Sequence, residues 1–108
     1  MSIVYVLTSV SKLEPDKKLF WCGHYWDPKF RNGVKFYKDL AWAMKGVNIA
    51  TDKTVSQRVF IEKHLTEPIE NVKSKTKRSW FVQDVRVEAF ELLSLGTQDE
   101  NNFYMGIE

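Results

Sequence analysis

The amino-acid sequence predicts an α+β fold: a small antiparallel β-sheet with one or two helices packed on one face. Three stretches carry that expectation. Two segments rich in β-branched and aromatic residues, "IVYVLTSV" (3–10) and "LFWCGHYW" (19–26), stand near the N-terminus. A stretch with apolar residues at helical period follows, and an alternating segment, "SWFVQDVRVEAFELL" (79–93), comes late in the chain. Strands early and late with helix between them make a sheet that pairs its outer elements and segregates its helices. The 108 residues suit one domain, expected over 1–96, with an acidic, apolar tail over 97–108. An apolar share of 44% and a charged share of 28% belong to a globular chain that can bury a core without staples.

Residues 3–10 read as a strand buried on both faces, because β-branched side chains run through both parities. "SKLEPDKK" (11–18) is a polar connector with Pro15-Asp16 as its turn chemistry, so 3–10 and 19–26 pair antiparallel. "DPKFRNG" (27–33) is a loop closed by Asn32-Gly33. In "VKFYKDLAWAMKGVN" (34–48), Phe36, Leu40, Ala43, Met44 and Val47 form a stripe at helical spacing. Gly46 and Asn48 are expected to stop that helix. Trp42 falls on its opposite side, between Lys38 and Lys45.

"TDKTVSQRVFIEKHL" (51–65) fits a helix capped by Thr51 or Asp52, with Val55, Val59 and Phe60 on a broad face. Its good helix formers favour that over a strand of Val55, Val59, Ile61 and Leu65. Pro68 ends it. "ENVKSKTKR" (70–78) is a basic loop. In 79–93, Phe81, Val85, Val87, Ala89 and Leu93 share one parity and Asp84, Arg86 and Glu88 the other. At about 3.3 Å per residue so long a strand needs a bend, expected near Gln83-Asp84.

An aromatic hairpin, then "FYKDLAWAM", then "TVSQRVFIEKHL", then a charged closing strand: this order resembles small accessory proteins of phages and mobile elements. The resemblance covers most of the chain through loose motifs, none of them catalytic. It implies an accessory, host-interacting role rather than a metabolic one.

Few residues carry reactive chemistry. Cys22 is the only cysteine, which excludes an internal disulfide and fits a reducing compartment. On a strand over 19–26, Phe20, Cys22, His24 and Trp26 share a face, so Cys22 and His24 point together. Structural zinc takes four ligands, and His64 is the only other histidine, so a zinc centre would have to recruit carboxylates such as Asp27. A Cys–His nucleophile needs an imidazolium-stabilised thiolate, an orienting group and an oxyanion hole, which neighbours on a flat strand do not supply. The octet therefore reads as a strand, aromatic on both faces. With no Gly-rich phosphate loop, no triad order and no metal set, neither an enzyme nor a metal or cofactor site is expected.

What is left is binding. The aromatic share, 14%, exceeds what a small core holds, so some rings are expected to face a partner. Trp42 between two lysines either packs under the tail or the second helix or, left exposed, fits an interface hot spot. Lys38, Lys45 and the tail residues Phe103 and Tyr104 are expected to join it in partner binding. Charge is also split: residues 1–83 carry 15 Lys/Arg against 8 Asp/Glu, whereas 84–108 carry Arg86 against six acids.

In "KSKTKRSWF" (73–81), Lys73, Lys75, Lys77 and Arg78 lead into Trp80, a mixture of cations and rings that suits single-stranded nucleic acid. Lys29, Arg31, Lys35 and Lys38 offer a second basic strip. The leading expectation is a small cytoplasmic binding protein, encoded by a phage or mobile element, that docks on a host protein and inhibits or redirects it. A defence or nucleic-acid-processing machine is the sharpest form of that host target. The alternatives are direct single-stranded nucleic-acid binding through 73–81 and self-assembly as a homodimer. The opening "MSIVYVLTSV" has no charged n-region and no long apolar run, so no signal peptide and no membrane partner are expected.

Overall fold

The computed structural model describes residues 3–30 and 33–91. Among these residues, four strands make one antiparallel sheet: β1 at Ile3–Ser11, β2 at Lys18–Trp21, β3 at Trp26–Asp27 and β4 at Val82–Glu91, in the order β3-β2-β1-β4. A long helix, α1 (Leu40–Lys63), packs on one face. A 3-10 turn at Ile69–Asn71 and a one-turn helix, α2 (Lys75–Arg78), lead into β4. The α+β class read from the sequence is the one observed.

β1 is central and buried on both faces, as its β-branched run requires. Leu7 joins Leu19, Trp21, Trp26, Trp80 and Phe81 under α1, where Ala43, Ala50 and Ile61 close the core. Val6 points the other way, into a second cluster with Phe30 and Val34. That second face is covered by the loop after β3 rather than by a helix. The Phe30 ring sits edge-on to Phe20 at 5.1 Å between centroids and to Phe90 at 5.7 Å. Such edge-to-face pairs add about 1 kcal/mol each to the burial itself.

The octet 19–26 is not one strand. β2 stops at Trp21, the chain turns through 22–25, and β3 begins at Trp26. The Cys22 N–H donates to the Tyr25 carbonyl at 2.9 Å, and Gly23 takes φ +91°, a backbone geometry that glycine alone adopts without strain. The reversal sets Trp21 opposite Trp26, with ring centroids 5.1 Å apart. Two indoles thus bury on one face, where strand alternation had put them on opposite faces.

The two helices expected around residues 36–47 and 51–65 are a single 24-residue helix. It starts later than the stripe implied, because Asp39 caps it by accepting the Ala41 N–H at 2.7 Å. Phe36 stays outside and packs in the second cluster, and Tyr37 exchanges backbone hydrogen bonds with Tyr5 at 2.7 and 2.9 Å. Gly46 does not stop the helix. It is buried against the Tyr37 ring, where a Cβ would lie 2.5 Å from the hydroxyl oxygen. Burial pushes the Tyr37 hydroxyl pKa up from its ordinary value.

The bend expected near Gln83-Asp84 is present. Thr8 pairs with Arg86 and Val10 with Gln83, so β4 carries one extra residue there, and Asp84 takes φ 55°. The strand itself begins at Val82. Residues 75–78, expected as loop, form α2, whose cap Ser74 accepts the Lys77 N–H at 3.3 Å.

Candidate functional site

α1 lays small side chains against the sheet. Ala43, Gly46, Ala50 and Thr54 recur every three or four residues and are buried, with Ile61 continuing the line. Small residues let the helix axis approach the sheet closely, and the bulky side chains are left outside. Thr54 also completes a buried polar link: Trp26 Nε1 donates to Thr54 Oγ1 at 3.0 Å, and Thr54 Oγ1 donates to the Ala50 carbonyl at 2.6 Å.

The consequence is an apolar exterior. At 100° per residue, Leu40, Met44, Val55 and Val59 make one exposed flank of α1, and Trp42, Ile49 and Phe60 make the other. Lys45, Asp52, Ser56 and Lys63 run between the flanks. Leu40 and Met44, expected in the core stripe, are therefore half-exposed, and Val55, Val59 and Phe60 are exposed rather than on a buried face. Trp42 is 62% exposed, as its position opposite the stripe implied, and Lys45 Nζ stands 4.6 Å from its ring centroid. Lys38 is exposed just before the helix. Phe60 contacts the His64 ring at 4.8 Å. Single exposed apolar residues are ordinary on a protein surface, but seven large ones on one helix form the kind of patch that marks an interaction site.

The basic segment is built differently from the expectation. Trp80 is 6% exposed and packs against Trp21 at 6.3 Å, so its ring belongs to the core and offers no face to a base. Arg78 turns inward too: its guanidinium donates to the carbonyls of Ile69, Glu70 and Val72 at 3.2–3.4 Å and ties the 69–72 turn to α2. Lys73, Lys75 and Lys77 remain exposed. Lys73 and Lys75, with Arg78, line an open cleft of about 900 Å³, whose other wall carries Tyr25 and Lys29. Of the second basic strip, Lys29 lines that cleft and Lys35 and Lys38 do not, while Arg31 lies outside the described residues. The cleft was not legible in the sequence, since its walls come from positions some fifty residues apart; the ring-and-cation pair at Tyr25 and Lys29 was its only local trace.

Cys22 is half-buried beside the second cluster, with its Sγ 3.7 Å from the Phe20 carbonyl, while His24 is exposed at the turn. Strand alternation would have given the two side chains one face; the turn leaves one half-buried and the other exposed. Among the described residues no three His, Cys, Asp or Glu side chains gather as a metal set, and no helix is long and apolar enough to cross a membrane. Phe103, Tyr104 and the whole stretch 97–108 lie outside the described residues. No family model, no curated protein and no solved structure matches this chain, so its function has to be read from these two surfaces.

Proposed function

We propose that the protein is a non-enzymatic binding module that docks on a protein partner through the outer face of α1, centred on Trp42. The observation that carries this reading is the 62% exposure of Trp42 on a helix with six other exposed large apolar side chains. Covering apolar surface is worth about 25 cal/mol per Å², so a partner seated on Trp42, Ile49 and Phe60 gains several kcal/mol from that flank. Lys38 stands just before the patch, and Lys45 and Lys63 run between its flanks, so the cations favour acidic groups on the partner. In its sharper form the partner is a host protein that this small, phage- or mobile-element-type accessory protein inhibits or redirects, with a cytoplasmic site of action. The resemblance of the chain's motifs supports that form.

Affinity capture from bacterial lysate with nuclease present, comparing the wild type with Trp42→Ala, tests the reading. A protein retained by the wild type and lost by the variant is expected, with its measured affinity reduced by about 2 kcal/mol or more, roughly thirtyfold. The variant should melt close to the wild-type temperature. A large loss of stability, about 3–5 kcal/mol, together with an indole shielded from quenchers in the free protein, would sink Trp42 as an interface residue. A partner bound equally well by both proteins would move the interface elsewhere. A concentration-dependent doubling of mass abolished by Trp42→Ala would make the partner a second copy of this chain.

A further inference from the structure

The cleft beside α2 is independent of the α1 patch and has its own chemistry. Its floor is apolar, with Leu19, Trp26 and Val72 contributing, and its walls are charged. Five cations line it against three carboxylates, Glu14, Asp27 and Glu70. Glu14 is taken up by Lys17 at 3.3 Å, and Asp27 accepts the Lys29 backbone N–H at 2.9 Å. Among the described residues, the ammonium groups of Lys29, Lys73 and Lys75 have no carboxylate within ion-pair distance. Lys29 stands on the wall after β3, and Lys73 and Lys75 on the wall formed by α2 and the residue before its cap. Tyr25, 46% exposed, presents a ring at the same cleft.

We infer that this cleft binds single-stranded nucleic acid, with Lys29, Lys73 and Lys75 on the phosphates and Tyr25 stacked on an unpaired base. Cations on both walls follow a backbone that carries one charge per nucleotide, and the aromatic side chain supplies a face that any base can cover. An acidic peptide would use the ammonium groups and leave the ring idle; a duplex hides the base faces that the ring requires. Single-stranded nucleic acid uses both. Trp80, the ring nearest these lysines in sequence, takes no part, and Tyr25 from the β2–β3 turn stands in its place.

Fluorescence anisotropy of a labelled oligothymidylate of about 12 nucleotides tests this. Three phosphate contacts to a single strand give a log–log salt slope near −2, so affinity should fall roughly twentyfold between about 50 and 200 mM salt. Lys29→Glu, Lys73→Glu and Lys75→Glu should each weaken binding and together abolish it, and Tyr25→Ala should cost roughly tenfold at every salt concentration. Lys53→Glu, on α1 and outside the cleft lining, should leave it unchanged. No binding at low salt would overturn the inference, and so would an effect of Lys53→Glu equal to that of a cleft lysine. Displacement by polyglutamate at equal charge, with no effect of Tyr25→Ala, would make the cleft a site for acidic peptide instead.

Discussion

Thr54 shows how much one side chain decides in the interior. Its hydroxyl accepts from the buried Trp26 indole and donates to the Ala50 carbonyl, so one oxygen satisfies a ring on β3 and anchors it to α1. Thr54→Val keeps the shape and leaves the indole N–H without an acceptor. It should cost about 1–3 kcal/mol in denaturant unfolding, while Thr54→Ser should keep most of the wild-type stability. Equal losses in the two variants would show that packing, not the hydrogen bond, holds Trp26. Trp21 and Trp26 were legible as an aromatic cluster, because four rings in eight residues cannot all stay in water. That they share a face was not legible, since it follows from the reversal at Gly23 and its φ of +91°.

Among the elements, α1 departs furthest from its local signals. Gly46 and Asn48 look like a stop, and Thr51 or Asp52 like a new start, yet the helix runs through all four. The cost of an interior glycine, about 1 kcal/mol against alanine, is offset by the close contact with Tyr37 that only a glycine permits. Gly46→Ala should therefore destabilise by about 1 kcal/mol net, its helix-propensity gain outweighed by the displaced ring. A rise in melting temperature would show that Tyr37 moves aside freely. The strand elements were easier to read. Alternation identified β4, and the bend expected near Gln83-Asp84 is the bulge found at Asp84, although the strand is shorter than the span that suggested it. Residues 79–81 of its predicted span form the turn after α2, where the carbonyls of Lys75, Lys77 and Arg78 accept the N–H groups of Ser79, Trp80 and Phe81 that a strand would have paired.

Across the whole molecule, one polar contact joins three strands. Glu88 of β4 accepts from Thr8 Oγ1 of β1 at 2.6 Å, and Lys18 Nζ of β2 stands 2.7 Å from its carboxylate. Partial burial alone would raise the Glu88 pKa, but the hydrogen bonds from Lys18 and Thr8 and the charges of Lys18 and Arg86 outweigh it, and the value is lowered. A carboxylate with a depressed folded pKa binds fewer protons folded than unfolded. Its contribution is therefore present above the ordinary carboxylate value, about 4.3, and is lost as pH falls through the lower folded value. Stability measured from neutral pH to about pH 3 should decline less steeply for Glu88→Gln than for the wild type. Superimposable acid limbs would show that the contact does not couple to folding.

The antiparallel α+β class, the double burial of β1, the β1–β2 pairing and the bulge in β4 were all readable along the chain, as was the place of Trp42 opposite the apolar stripe; its exposure was not. Each depends on spacing along one element or on a signal within a few residues, which is where periodicity and turn chemistry act. That 40–63 is one helix, that Trp80 and Arg78 serve the fold, and that Lys29 and Tyr25 share a cleft with Lys73 and Lys75 emerges in three dimensions alone. These outcomes depend on contacts between residues far apart in the chain. The Tyr37 ring makes room only for glycine at 46, three carbonyls capture one guanidinium, and a four-residue turn brings one wall of the cleft up to the other. Local propensity carries no record of such neighbours, and burial against them overrides it wherever the two disagree.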